Sequence, residues 1–163
     1  MDDNKDIFIR PATISDAKPI ASILKEVSWF EHINQETFED TETRIIDFLK
    51  MIIGDKQGYN HTVMVACKND GRVVGYVAVH WLPYLFLPAP EGYISELFVK
   101  ESERKYGIGR MLLKEVEGVA RERGCSRLML INGRNRESYR QNFYKKLDWE
   151  ERLNVANFIF ILD

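Results

Sequence analysis

The stretch YISELFVKESERKYGIGRMLL, residues 93–113, constrains this chain more than any other. A β-branched and aromatic run passes through Arg104, Lys105 and two glycines one residue apart, then enters an apolar helix-forming segment. Glycine opens backbone angles closed to other residues, and a helix beginning at Gly109 or Arg110 aims its unpaired N–H groups back at the loop. A strand, such a loop and a helix in that order make an anion site.

Which anion is narrowed by spacing. A dinucleotide fingerprint needs G-x-G-x-x-G, and from Gly107 the chain reads G-I-G-R-M-L, without the third glycine. A Walker loop needs G-x-x-x-x-G-K, which no glycine here satisfies. The pattern present is R-x-x-G-x-G: Arg104, Lys105, Tyr106, Gly107, Ile108, Gly109. Successive N–H groups and a helix N-terminus there suit a pyrophosphate, with charge added by Arg104, Lys105 and Arg110.

The remaining chain alternates strand and helix signals. IFIRPAT predicts a first strand stopped at Pro11, followed by a helix capped at Ser15 or Asp16 with Ile20, Ile23, Leu24 and Val27 inward. A second helix is expected over Thr41–Ile53. Two β-branched runs flanking Asn69-Asp70-Gly71 predict a hairpin. The helix after the glycine loop, about Gly109–Arg123, leads to a buried strand SRLMLI, then a short helix over Glu137–Lys146 and a last strand NFIFIL. The order β-α-α-β-β-β-α-β-α-β implies an α+β fold of three-layer type: a mixed, mostly antiparallel sheet flanked by helices, in one domain over residues 1–163.

The formal net charge of −2 gives no global attraction to nucleic acid or membrane. No apolar run is long enough to span a bilayer, and MDDNKDIFIR has no apolar leader core. Cys67 and Cys125 lie far apart in sequence, which with the N-terminus points to a reducing, cytoplasmic compartment.

The glycine loop between strand and helix, together with NFYKKLDW further on, resembles the GNAT superfamily of acetyl-CoA-dependent N-acetyltransferases. The resemblance extends to the order of elements over nearly the whole chain. It implies acetyl-CoA as co-substrate, its pyrophosphate held by the amides of Arg104 to Gly109 with Arg110, and its pantetheine arm paired along the backbone of Leu97, Phe98 and Val99. Main-chain pairing of this kind lets the strand's side chains vary. It also implies that Tyr144 acts as general acid to the leaving thiolate. Two positions depart from the family pattern. Asp148-Trp149 stands where Gly-Phe is usual, and Glu137 where an asparagine is often found seven residues before the tyrosine, with Asn135 two positions earlier.

Other residues admit two readings each. Tyr144 beside Phe143 also suits a core position. Strand alternation places Ile94, Glu96 and Phe98 on one face, and a carboxylate among buried residues is costly unless paired or functional. Glu96 is then either the general base for an ammonium substrate or an edge carboxylate in a salt bridge. His32, His61 and His80 have no metal-ligand spacing, so no metal is expected, although His80 could shuttle a proton. From Glu26 to Thr43 six acids stand among Trp29, Phe30 and Phe38 with no Lys or Arg. This segment suits either a cationic amine or simple solvation.

The function expected is transfer of acetyl from acetyl-CoA to a primary amine, preferably a small cationic one, by direct attack. A protein lysine or N-terminal acetyltransferase and a non-catalytic acyl-CoA-binding module are the alternatives. No nucleic-acid or membrane partner is expected, and a homodimer is compatible with the reading.

Overall fold

Strand alternation on either side of Asn69-Asp70-Gly71 does form a hairpin. In the computed structural model, which describes residues 6–54 and 60–162, β2 (His61–Lys68) pairs antiparallel with β3 (Val73–Leu82). Gly71 sits at φ 86°, open to glycine at little cost, and its N–H donates to the Lys68 carbonyl at 2.8 Å. β1 (Ile7–Pro11) pairs with β2 and β4 (Glu91–Val99) with β3, both antiparallel, while β5 (Arg127–Leu130) joins β4 in parallel. The sheet order is β1-β2-β3-β4-β5. Its one parallel step is spanned by the helix that follows the glycine loop, α4 (Ile108–Glu122).

Burial along β2 and β3 is nearly continuous, because helices cover both faces. On one face Val63, Val65, Cys67, Tyr76, Ala78 and Phe98 pack with Ile20, Ile23, Leu24 and Val27 of α1 (Ala17–Val27) and Leu49 of α3 (Phe38–Gly54). On the other, α4 buries Ile108, Leu112, Leu113, Val116 and Ala120. A Cβ on Gly75 would meet Ile108 Cγ2 at 3.4 Å, so that strand position is small where the helix comes close. The α+β, three-layer expectation holds.

Helix starts differ from the sequence reading for local reasons. α3 begins one turn before Thr41, because Thr37 and Asp40 form reciprocal caps: the Thr37 N–H donates to Asp40 Oδ2 at 3.3 Å and the Asp40 N–H donates to Thr37 Oγ1 at 3.1 Å. A short α2 (Glu31–Gln35) precedes it. Asp16 turns back on the preceding loop, accepting from the Thr13 N–H at 2.7 Å and from both Arg10 guanidinium nitrogens.

β4 corrects the expected alternation. The β3–β4 register passes from Ala78 opposite Glu96 to Val79 opposite Ile94, leaving Ser95 as an extra residue. Opposing residues share a face, so Glu96 and Phe98 go with Ala78 and Tyr76 on the α1–α3 side, whereas Ile94 goes with Val79 on the other. Ile94 and Glu96 are therefore not on one face.

The described residues form two compact units, one running to Ile131 and one from Asn132. In the second, the expected single helix is split into α5 (Glu137–Arg140) and a 3-10 turn, Lys145–Leu147. The break falls at Asn142, whose φ of 53° is left-handed. Asp148 takes φ 63°, so the residue standing in for the family's glycine adopts a glycine-like angle that Asp tolerates. The expected last strand is not formed: residues 158–162 belong to none of the five strands and are 81–90 % exposed. Their β propensity is high, but a strand needs a partner for its backbone.

No helix among the described residues is long and apolar enough to cross a membrane. Residues 1–5, part of the segment read as lacking a leader, lie outside the described residues.

Candidate active site

The two edges of β4 have different fates. β3 accompanies β4 from Glu91 to Val99, but β5 pairs only with Glu91 to Ile94. Beyond the Ser95 bulge, the β5-side edge of Leu97, Phe98 and Val99 has no strand partner among the described residues. β5 ends at Leu130, opposite Ile94, so β4 runs on without it to the start of the glycine loop.

A 3-10 turn, Glu101–Glu103, leads from β4 into that loop. Lys105 at φ 72° and Gly107 at φ 75° both take left-handed angles, and Gly107 is the N-cap of α4. Lys105 pays a strain there that glycine would not, as residues at ligand-binding turns often do. The Met111 N–H donates to the Gly107 carbonyl at 3.0 Å, and the N–H groups of Ile108, Gly109 and Arg110 precede this first helical bond. α4 thus starts one residue earlier than Gly109, and its first turn presents main-chain donors to the loop. The Ile108 side chain is core, while Lys105, Tyr106 and Arg110 are exposed. Arg104 folds back, its Nε donating to the Val99 carbonyl at 3.2 Å. Glu103 is held by Lys68 at 2.6 Å, which takes one negative charge out of play beside the loop.

Glu96 projects from the α1–α3 side of β4 and accepts a hydrogen bond at Oε2 from the Tyr76 hydroxyl. It makes no ion pair with another described residue, which leaves a phenol where the salt-bridge reading placed a cation. Burial pushes its carboxyl above the usual range, opposed by Tyr76 and by the charge of Arg44. Beside it, the Trp29 and Phe30 rings meet Phe98 edge-on, at centroid separations of 5.2 and 6.2 Å, and stay 40 % and 36 % exposed.

Part of the acidic segment has partners within the chain. Glu36 is gripped by both Arg44 guanidinium nitrogens at 2.6 Å and by the Thr41 hydroxyl at 2.6 Å, which hold its carboxyl down to about 2. Asp40 caps Thr37, and Glu26 accepts from the Glu101 N–H.

In the second unit, Tyr144 is packed between Phe143 and Trp149, with centroids 5.0 and 5.9 Å away. Burial raises its hydroxyl to about 12, so it keeps its proton across the neutral range. Burial likewise raises the thiols of Cys67 and Cys125. His80 lies 3.0 Å from Ser95 Oγ and 4.7 Å, ring to ring, from His61, and burial lowers its pKa.

Residues 24–149 match the model of the Acetyltransferase (GNAT) family. This chain is a GNAT acetyltransferase. It is 26% identical over 129 residues to a thialysine N-epsilon-acetyltransferase from Bos taurus, covering 76% of this chain and 73% of that protein. Its fold is shared with a transcriptional regulator from Bacillus halodurans C-125 (TM-score 0.78, 24% identity, 94% of this chain and 99% of that one). It is also shared with glucosamine-6-phosphate N-acetyltransferase from Arabidopsis thaliana (TM-score 0.72, 19% identity, 96% and 100%). An acetyltransferase of Trypanosoma brucei is similar too (TM-score 0.72, 19% identity, 95% and 100%).

GNAT acetyltransferases use acetyl-CoA as co-substrate. The sequence reading missed Tyr76, Arg44 and the Trp29–Phe98 contact. A tyrosine inside the run VVGYVAV carries a hydroxyl that must find a partner once buried, and that was the available signal.

Proposed function

We propose that this GNAT enzyme acts as one N-acetyltransferase domain over residues 1–163 and moves acetyl from acetyl-CoA to a small cationic primary amine by direct attack. The observation that carries this reading is the parting of β4 from β5 after Ile94, immediately before the loop at the start of α4. An edge at Leu97, Phe98 and Val99 with no strand partner among the described residues suits the amide groups of pantetheine, although Arg104 Nε already takes the Val99 carbonyl. Of the amides from Arg104 to Gly109, that of Arg104 is given to the Glu101 carbonyl at 3.2 Å, and those that follow, with Arg110, suit the pyrophosphate at its far end.

The acceptor arrives as an ammonium and must lose a proton before its nitrogen can attack. Glu96, with a carboxyl raised by burial, takes that proton more readily than an ordinary glutamate would. The N–C bond forms, the C–S bond breaks, and CoA leaves as a thiolate while an amide near Phe98 or Val99 stabilises the carbonyl oxygen. The family resemblance gives Tyr144 the part of donor to the leaving thiolate, and a hydroxyl at about 12, above an ordinary thiol near ~8.5, gives a hydrogen bond more readily than a fully transferred proton. The raised thiols of Cys67 and Cys125 favour direct attack over an acetyl-cysteine route.

Trp29 and Phe30 pack on Phe98, on the strand face that carries Glu96, and stay partly exposed; the π face of such a ring suits an alkylammonium of modest size. The bovine relative's name gives the Nε of thialysine as its acceptor. The test is release of free thiol from acetyl-, propionyl- and succinyl-CoA across a panel of diamines, amino acids with side-chain amines, aminoglycosides and lysine peptides. Turnover with acetyl-CoA and the small amines is expected. Turnover confined to peptides, or to another acyl group, overturns the assignment.

A further inference from the structure

A tyrosine at position 76, between Gly75 and Val77 in the middle of a five-stranded sheet, has no solvent for its hydroxyl. It is 2 % exposed and its ring belongs to the α1–α3 core. A buried phenol needs a polar partner on its own face, and the register of β3 against β4 supplies one. Tyr76 lies opposite Phe98 and Ala78 lies opposite Glu96, so Tyr76 and Glu96 are diagonal neighbours on one side of the sheet. The Ser95 bulge is what brings Glu96 to that side. Without the extra residue, strict alternation from Ile94 would carry Glu96 on the face of Ile94 and Val79.

The hydrogen bond uses one oxygen only. Tyr76 donates to Glu96 Oε2, and Oε1 takes no hydrogen bond from a described residue, so it is the less engaged of the two oxygens. We propose that Tyr76 is a positioning residue of the acetyl-transfer reaction, holding Oε2 of Glu96 so that Oε1 faces the acceptor amine and receives its proton. This rests on the reading of Glu96 as the general base.

The charged surroundings of Glu96 are few. Tyr76 faces it from β3. Arg44 acts on it from α3, with its own charge offset by the bidentate contact to Glu36 and by Asp40. Burial raises the carboxyl, and Tyr76 and Arg44 pull it down. Removing the phenol proton removes a donor to the charged form, so the carboxyl must rise further. Since the base works when ionised, the acid limb of kcat/KM must then move to higher pH.

Tyr76→Phe keeps the ring and its packing and deletes the donor. The expected result is an upward shift of about one pH unit both in the acid limb of kcat/KM and in the Glu96 carboxyl titration, read by carbon NMR on the free enzyme. Affinity for acetyl-CoA stays unchanged. Replacing Tyr76 with 3-fluorotyrosine, a stronger donor of nearly the same shape, moves both downward. If either quantity stays in place in the folded variants, or if only the melting temperature changes, Tyr76 is a packing residue and the inference is overturned. Glu96→Gln separates the two readings. If it keeps the acid limb and turnover, Glu96 is not the base, and the positioning role falls with that reading. If it abolishes them while Tyr76→Phe leaves the limb unmoved, only the role of Tyr76 is lost.

Discussion

The Trp29 ring meets the Phe98 ring edge-on, 5.2 Å between centroids, and so fixes an exposed aromatic from the α1–α2 connection beside the strand face that carries Glu96. Trp29→Ala removes that wall without touching the glycine loop. KM for the amine should rise about tenfold, in line with a cation–π contact of moderate strength, while KM for acetyl-CoA stays within about twofold. Equal changes in both, measured by varying each substrate at saturation of the other, would place Trp29 outside the acceptor site.

Tyr144→Phe deletes a hydroxyl that burial holds at about 12 and leaves the ring between Phe143 and Trp149. kcat should fall by about a hundredfold, with little change in acetyl-CoA affinity or melting temperature. Because the phenol stays protonated, no alkaline limb below about pH 12 belongs to it, and the loss should be uniform across the neutral range. A core tyrosine would instead lower the melting temperature and keep turnover per folded molecule.

Gly109→Glu places a carboxylate in the first turn of α4, where an anion's charge would otherwise lie. Acetyl-CoA affinity, read by calorimetry, should weaken by at least about tenfold, since like charge opposes the pyrophosphate. An unchanged Kd in a folded variant sinks the assignment of the loop to phosphate.

Glu36→Gln tests whether the acidic segment is structural. The Glu36 carboxyl is held at about 2, below its ordinary 4.5. A depressed carboxyl contributes stability that is present above pH 4.5 and lost as pH falls toward 2. The glutamine variant should be less stable at neutral pH, and its urea midpoint should fall less steeply between those two values. The amine KM should not change. Arg44 is half exposed, so solvent screening keeps the stability effect small. An altered amine KM with an unaltered acid profile would restore the acidic segment to the acceptor site.

What the sequence determined by itself is local. The hairpin at Gly71, the left-handed Gly107 opening α4, and the left-handed Asp148 in place of glycine all follow from backbone angles that a residue and its near neighbours decide. The Thr37–Asp40 caps, though they span one helical turn, were not read, and the helix was expected one turn late at Thr41. The α1 face could be read from spacing alone, and Ile20, Ile23, Leu24 and Val27 are all buried.

What only the tertiary structure decided is pairing across distance. The extra residue at Ser95 exists only relative to β3, so the face of Glu96, its contact with Tyr76 and the loss of β5 beyond Ile94 have no signature in the strand's own alternation. Arg44 closes on Glu36 across the α2–α3 connection and turns an acid read as a substrate attractant into a structural one. NFIFIL has every local mark of a strand, yet residues 158–162 stand outside the sheet. A strand is defined by its partner's hydrogen bonds, and propensity, which belongs to one segment alone, cannot supply them.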